Sequence, residues 1–261
     1  MSVLEQLVRA EALSYLLEVS RLTGLVAIAP LPWQWAPVRV RTGLVLALAW
    51  VGHGLGGATQ GLTDSPSVVL ALFGEVALGL CMGFVVRLGV AVAEVAAETI
   101  APMMGLGAAS LFDPHGAPGD TVLASLFRYG MLLAGSLVGI HRVFLGALLD
   151  SFRLLPVGSV AGLRGSVPAF VELVSDTFAA GVRIAIPIVV VVFMIQVALA
   201  YISRAAPAMQ IFSVGFAVTL AAGLVLLFVT LPDTVGRFVA EWGRAPEHLD
   251  LVLSPLVGSR P

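Results

Sequence analysis

The sequence contains no lysine and few charged residues of any kind. Its 14 basic residues are all arginine, they stand against 16 acidic residues, and the formal net charge is −2 at pH 7. The missing lysine excludes any mechanism that depends on a lysine side chain, and without a basic excess nothing indicates nucleic-acid binding. The single cysteine, Cys81, excludes an intrachain disulfide and a metal site built from several cysteines.

Apolar residues take the place of the missing charge. Hydrophobic residues make up 59% of the 261-residue chain and charged residues 11%, and the mean hydropathy is +1.01. A soluble protein carries about 25% charged residues, because water must solvate its surface. A surface that faces lipid needs no such charge, and helices satisfy their own backbone there. The composition therefore predicts an all-α, multi-pass integral membrane protein.

Seven apolar stretches are candidates for membrane-spanning helices, each of which needs about 20 residues. They lie at residues 12–32, 42–58, 67–86, 88–104, 121–149, 169–201 and 211–231. Arginine-rich loops tend to face the cytoplasm. Arg39 and Arg41 therefore place the first long loop in the cytoplasm, and Arg87 requires a cytoplasmic turn between two spans in 67–104. The chain is expected to form one membrane domain, 1–261, with a short C-terminal tail over 233–261.

Charged residues inside the apolar stretches are the most informative polar features. They are Arg21, Glu75, Arg87, Glu94, Glu98, Arg128, Arg142 and Arg183. A charge at the bilayer centre costs about 2.5–3.5 kcal/mol, so these side chains must face protein or water. Glu94 and Glu98 share one helix face because they are four residues apart. We expect a polar seam, within this chain or against neighbouring subunits, and assign Glu75, Arg87, Glu94 and Glu98 to a seam between subunits.

Pairs of glycines four residues apart recur in the apolar stretches. They are Gly52 and Gly56, Gly79 and Gly83, and Gly135 and Gly139. Each pair puts two small residues on one helix face, which lets helix backbones come close in a membrane. Together with the charges, these pairs favour an obligate assembly over a loose monomer.

No pattern of catalytic or metal-binding residues is present. The histidines, His53, His115, His141 and His248, are far apart in sequence and match no ligand spacing. Neither Ser110 nor Ser151 lies in a Gly-x-Ser-x-Gly context, and a phosphate-binding loop would need the missing lysine. The sequence therefore predicts neither an enzyme nor a cofactor.

One loop has an unusual composition. It begins after an apolar run with small residues and ends in Asp-Pro, and two methionines, which adapt to irregular partners, precede it. Its functional interpretation is a mobile element that closes a pore, and its structural interpretation is an ordinary loop with buried methionine. The residues assigned to the pore plug are Met103, Met104, Gly105, Leu106, Gly107, Leu111, Phe112, Asp113 and Pro114.

Motifs along most of the chain, from about residue 12 to 232, resemble the FliR family of bacterial flagellar type III export gates. The motifs, in chain order, are Ala29-Pro30 and Pro37–Leu44, Gly74-Glu75, Gly79-Leu80 and Gly83–Arg87, Met104–Leu106 and Leu111–Pro114, Ser151–Gly158, Arg204–Pro207, and Ile211–Phe216. Each motif is short, and their order and spacing together carry the resemblance. The family pattern has Gln where this chain has Met103, and Asn where it has Gln210, and Pro102 would kink the preceding helix.

The resemblance implies a fold, partners and a role. The fold would be helical hairpins assembled into a helical, ring-like gate, with one copy of this chain beside several FliP-like and FliQ-like subunits. FlhB-like and FlhA-like membrane proteins would be further partners. The gate would pass unfolded flagellar proteins across the bacterial inner membrane at the flagellar basal body. In that family one loop plugs the pore, and by motif it corresponds here to Gly105–Asp120.

Two alternatives stay open at this point. The homologous subunit of the virulence injectisome, the SctT type, shares the Asp-Pro loop. Gly139–Arg142 and Val214–Phe216 are more similar to the flagellar form. A small-solute transporter, the distant alternative, would show matching interrupted helices in two halves, and Pro102 and Pro187 do not lie in matching contexts.

Overall fold

The computed structural model describes residues 3–30, 36–53, 65–106, 121–155, 157–158, 167–205 and 211–258. All regular structure in these ranges is α-helical, and they contain eight helices. The helices are α1 (Val3–Ile28), α2 (Val38–His53), α3 (Ser65–Met103), α4 (Val122–Val138), α5 (Ile140–Leu154), α6 (Val167–Ala205), α7 (Ile211–Gly243) and α8 (Ala245–Gly258). The predicted all-α class is confirmed.

The chain divides into two compact units. Unit 1 comprises Met1–Leu88, Gly139–Val174 and Arg244–Pro261, and unit 2 comprises Gly89–Val138 and Ser175–Gly243. Unit 1 thus holds α1, α2, α5 and α8 with the first parts of α3 and α6. Unit 2 holds α4, α7 and the remaining parts of α3 and α6.

In unit 1, α1 and α3 cross at very short range. A Cβ added at Gly79 would fall on the carbonyl oxygen of Arg21, and one added at Gly83 would lie 2.8 Å from the carbonyl oxygen of Leu25. The prediction that Gly79 and Gly83 permit close helix approach is confirmed. A second cluster of buried side chains joins α3, α6 and α8; it consists of Val85, Leu88, Leu173, Leu249 and Val252.

In unit 2, α4 packs on α7. The rings of Phe127 and Phe238 meet edge to face with centroids 5.8 Å apart. The indole nitrogen of Trp242 donates a 2.8 Å hydrogen bond to the carbonyl of Met131. A buried indole needs such a partner, so this bond fixes the end of α7 against α4.

Three stretches are long and apolar enough to cross a membrane: Ser67–Met103, Val167–Arg204 and Val214–Pro255. A fourth is added if α4 and α5 together count as one broken span. Of the described helices, α1 and α2 fall outside this set. The chain is therefore a multi-pass, all-α membrane protein.

The predicted turn at Arg87 is wrong. Residues 65–103 form one continuous helix of 39 residues, which is about 58 Å long at 1.5 Å per residue. No proline or other breaker separates the two predicted spans, and Arg87 is half-buried on the side of the helix. The alternation of loops derived from arginine placement therefore does not hold, because it required two spans in 67–104.

The segment expected to be a short C-terminal tail, 233–261, is helical where it is described, because α7 continues through Pro232 to Gly243 and α8 covers Ala245–Gly258. One glycine pair differs from the expectation. Gly135 and Gly139 do not share a helix face. α4 ends at Val138, and Gly139 adopts a left-handed backbone with φ 80° before α5 begins. Glycine takes that conformation at little cost, so it separates the two helices.

Candidate functional site

Two charged side chains that are almost fully buried, Arg21 and Glu75, form an ion pair in unit 1. Arg21 Nε lies 2.5 Å from Glu75 Oε2, and Arg21 Nη2 lies 3.1 Å from Glu75 Oε1. The two side chains are 1% and 3% exposed. The planar guanidinium of arginine favours this bidentate arrangement, in which two of its nitrogens each contact one carboxylate oxygen. The prediction that these charges face protein rather than lipid is confirmed.

Further bonds to this ion pair fix the end of α5. Arg21 Nη1 donates to the carbonyl of Ser151 over 3.0 Å, and Nη2 donates to the carbonyl of Leu155 over 3.1 Å. The backbone N–H of Gly158 donates to Glu75 Oε1 over 2.8 Å. The Ser151 carbonyl also accepts the N–H of Leu155, the residue after α5, over 3.0 Å, so Arg21 is a second donor to that oxygen and holds the C-terminal end of α5. The Arg21–Glu75 pair thus ties α1, α3 and α5 together within unit 1.

A second polar cluster joins α1 to α2. His53 Nε2 lies 2.9 Å from a Glu11 carboxylate oxygen, and Nδ1 lies 3.2 Å from a Glu18 carboxylate oxygen. The bond to Glu11 is the main cause that raises the pKa of His53 above its ordinary value of 6.5. Burial raises the pKa of Glu18 above 4.5. No group of three or more His, Cys, Asp or Glu in the described ranges has the arrangement of a metal site.

Glu94 pairs with an arginine of its own chain. Glu94 Oε1 lies 2.6 Å from Arg128 Nε, which links α3 to α4 within unit 2. The side chains are 17% and 32% exposed, so the pair is only partly withdrawn from solvent. An intrachain partner therefore exists for one of the carboxylates predicted to face a neighbouring subunit.

The chain enters the predicted plug loop through a tight helix end. The N–H of Leu106 donates to the carbonyl of Ala101, and the N–H of Gly105 donates to the carbonyl of Pro102, both over 3.0 Å. Gly105 has φ 81°. This combination is a Schellman motif, in which a left-handed glycine ends the helix and satisfies two of its last carbonyls.

Two contacts in unit 2 fix this helix end. Gln196 Nε2 donates a 2.7 Å hydrogen bond to the carbonyl of Met103. Met104 is fully buried, and a Cβ added at Gly223 would lie 2.6 Å from its side chain. The glycine on α7 therefore makes room for the methionine. The side chain of Met104 lies in the interior of unit 2.

The chain leaves the loop at a second polar contact. Thr121 donates its hydroxyl to Glu98 Oε1 over 3.0 Å, and its backbone N–H lies 3.4 Å from the same oxygen. The Thr121 oxygen in turn accepts the N–H of Ala124 over 3.1 Å. Thr121 is thus the N-cap of α4 and is bonded to α3 at the same time. Glu98 therefore has a partner at the end of the loop.

The predicted residues divide into those that the structure describes and those that it does not. Met103, Met104, Gly105 and Leu106 form the start of the loop. The remaining plug residues, Gly107, Leu111, Phe112, Asp113 and Pro114, lie outside the described residues, as does Gly56 of the first glycine pair. Among the predicted seam residues, Glu75, Glu94 and Glu98 each have a partner in this chain. Their assignment to an intersubunit seam remains a prediction.

Sequence reasoning missed two residues of this site. Gln196 lies in the apolar stretch 169–201, where only charged residues were singled out, although a polar amide there follows the same argument. Thr121 stands just before an apolar run, which is an N-cap signal. The pairing of Arg21 with Glu75 could not be predicted, because residues 54 positions apart form no local sequence pattern.

Comparison with known proteins decides the family. A family model described as bacterial export proteins, family 1, matches residues 12–245. The chain belongs to this family. The match covers most of the described helices, including those that carry the Arg21–Glu75 pair and both ends of the loop.

Individual relatives of the family carry one name. Flagellar biosynthetic protein FliR of Pectobacterium carotovorum subsp. carotovorum is 31% identical over 164 residues, 63% of each chain. The protein of that name from Escherichia coli strain K12 is 26% identical over 225 residues, 84% of each chain. The one from Aquifex aeolicus strain VF5 is 33% identical over 159 residues, 60% of this chain and 61% of that protein. The first and third matches thus span less than two thirds of those relatives.

Proposed function

We propose that this chain is a structural subunit of a bacterial flagellar protein export gate. The observation that carries the proposal is the family match over residues 12–245, together with relatives named flagellar biosynthetic protein FliR. The chain acts in the inner membrane at the flagellar basal body. It joins FliP-like and FliQ-like subunits, with FlhB-like and FlhA-like proteins nearby, in a channel for unfolded flagellar proteins. In this role the chain is not an enzyme.

Within the gate, the loop of Gly105–Asp120 closes the pore until a substrate passes. The residues that flank this loop are bonded within unit 2, Met103 to Gln196 and Thr121 to Glu98. A plug requires fixed ends, since a loop that can drift away from the pore cannot seal it.

The exposed apolar surface supports an assembly in the membrane. Side chains along one face of α4 are more than half exposed at Val122, Leu126, Tyr129 and Leu133. Their spacing of four, three and four residues places them on one stripe. A partner helix or lipid must cover such a stripe. FliP-like and FliQ-like helices are the partners that the proposed function provides.

Deletion of residues 111–117 tests the plug directly. We expect the complex to assemble normally and to conduct ions when it is reconstituted in vesicles, because the pore loses its seal. A Gly/Ser segment of the same length in place of 111–117 separates the loss of side chains from the loss of length. Conductance at the level of the intact complex in both variants would exclude the plug role.

The flagellar gate is favoured over the injectisome gate by the names of the relatives reported above, which are flagellar. Complementation distinguishes the two. We expect this gene to restore motility in a strain that lacks its own flagellar subunit, and to leave an injectisome mutant unable to secrete.

A further inference from the structure

We infer that the groove between α1 and α2 binds one acyl chain of an anionic phospholipid, with the lipid phosphate at Arg41. This lipid site does not depend on the proposed function, because the residues that form it all lie in unit 1 and its ligand comes from the surrounding bilayer.

The groove is apolar and elongated. Its volume is about 370 Å³, which lies within the roughly 300–1,000 Å³ of small-molecule sites. The apolar side chains of its walls are Val19, Val26 and Ala27 of α1 and Val45 and Leu46 of α2. From Val19 to Ala27 it follows about 12 Å of α1, at 1.5 Å per residue. This shape suits an extended hydrocarbon chain better than a compact ligand.

The groove is open along one side. Val26 and Val45 are buried at its base, whereas Ala27 and Leu46 are exposed at its rim. The outer surface of α2 is apolar as well, and Trp50 is 77% exposed there. Tryptophan is enriched where a membrane protein meets the lipid headgroups. A lipid chain can therefore enter the groove sideways from the bilayer.

The polar atoms of the groove restrict the chemistry of its occupant. The Thr23 hydroxyl donates to the carbonyl of Val19 over 2.7 Å, and the Thr42 hydroxyl donates to the carbonyl of Arg39 over 2.9 Å. Both hydroxyl protons are thus used within their own helices. Among the described residues that line the groove, Arg41 has the one charged side chain. The walls therefore offer hydrocarbon contact and a single cationic donor.

That cationic donor lies at one end of the groove. Arg41 Nε donates to the carbonyl of Ala36 over 3.0 Å, which orients the guanidinium near the start of α2. Towards the other end, the Tyr15 hydroxyl donates to the carbonyl of Leu46 over 3.0 Å and joins the two helices. No acidic residue occurs in the sequence 19–63, so the local charge favours an anion. Guanidinium matches the geometry of phosphate, and basic sites between membrane helices bind anionic lipid headgroups.

The chain offers matched variants for a test. Arg41→Gln removes the charge in the groove, and Arg41→Lys keeps it. Arg39→Gln is the control, because it removes an equal charge from an exposed position that does not line the groove. Ala27→Phe fills the groove from its exposed rim. Its control is Ala47→Phe, at an exposed position of α2 outside the groove.

The measurement is photo-crosslinking of the intact, purified complex in phosphatidylcholine vesicles. The probe is phosphatidylglycerol with a diazirine on one acyl chain, and mass spectrometry locates the label. We expect label in peptides that contain residues 19–27 and 41–46. Arg41→Gln should lower this labelling about fivefold, and Ala27→Phe should abolish it. Arg41→Lys should keep most of the labelling, and both control variants should label as the parent does.

A phosphatidylcholine probe with the same diazirine tests the headgroup in the parent complex. We expect it to label the groove about fivefold less than the phosphatidylglycerol probe does. Equal labelling by the two probes would overturn the inference, because it would show hydrocarbon contact without recognition of charge. This comparison decides the matter even if a variant fails to assemble.

Two further outcomes would also overturn the inference. One is the absence of label from 19–27 and 41–46 in the parent complex, which would mean that a partner subunit rather than lipid covers the groove. The other is labelling at the level of the parent in both Arg41→Gln and Ala27→Phe.

Discussion

Arg21 and Glu75 form a two-contact ion pair that is almost completely withdrawn from solvent, with Nε and Oε2 2.5 Å apart. Each side chain also bonds backbone groups at or after the end of α5. Removing one partner leaves the other buried without its countercharge. Substituting one partner therefore lowers the free energy of unfolding much more than substituting both.

We expect Glu75→Leu to lower the free energy of unfolding by about 3–5 kcal/mol, measured by thermal melting of the purified protein in detergent. Adding Arg21→Met to that variant should recover part of the loss, because no charge then remains buried. Asp150 and Arg153, which form an exposed ion pair in α5 with Arg153 Nη1 3.4 Å from Asp150 Oδ1, are the control. Asp150→Asn should change stability by less than about 1 kcal/mol. Equal effects of Glu75→Leu and Asp150→Asn would contradict this account.

The α1–α3 crossing predicts a size limit at Gly79. Gly79→Ala places a methyl group on the backbone of α1 at Arg21. Overpacking of this kind costs about 1–3 kcal/mol. Gly146→Ala, in α5 of the same unit, meets nothing within 4 Å, and it should be neutral or slightly stabilising because alanine favours helix. Gly79→Ala should therefore lower the melting temperature, and Gly146→Ala should leave it unchanged or raise it. The same change in both variants would argue against the close α1–α3 crossing.

Glu94 and Arg128 should behave as a coupled pair. Glu94→Leu removes the contact of 2.6 Å and should destabilise the protein by about 1–2 kcal/mol, since the pair is partly buried. Arg128→Leu in the same molecule should restore much of that loss. The double-mutant cycle measures the coupling. Additive effects of the two substitutions would mean that Glu94 acts on something other than Arg128, such as a neighbouring subunit.

The contact between α1 and α2 should weaken as the pH rises. The pKa of His53 is raised by Glu11, so its stabilisation is complete below about pH 6.5 and is lost as the pH rises through the folded-state value. The pKa of Glu18 is raised by burial, so its ionisation opposes folding above pH 4.5. Both groups therefore stabilise the folded protein less as the pH rises.

Melting temperatures measured between pH 5 and pH 9 should therefore fall with increasing pH, and His53→Gln should reduce that slope. A slope that survives in His53→Gln would assign the pH dependence to other groups.

The sequence predicted those features that local pattern determines. The scarcity of charge predicted the membrane class, the spacing of Gly79 and Gly83 predicted a close helix crossing, and the small residues after Met104 predicted the start of the loop. Each of these depends on neighbouring residues along the chain. The Schellman motif at Gly105 ends α3 where the loop was predicted to start.

Other features were not predicted correctly or not predicted at all. The turn that arginine placement assigns to Arg87 is wrong, because α3 continues past it with nothing in the local sequence to break it. The assignment of Glu98 to an intersubunit seam remains a prediction, and its bond to Thr121 within this chain spans 23 residues. Its partner is set by how α3 and α4 pack, which a helix-face pattern does not reveal.

The central claim is that this chain works as one subunit of a flagellar export gate. It is tested most directly by isolating the tagged protein from detergent-solubilised membranes and identifying the co-purifying proteins by mass spectrometry. We predict one large complex that contains FliP-like and FliQ-like proteins. Recovery of this chain alone, or only as a homo-oligomer, would contradict the account.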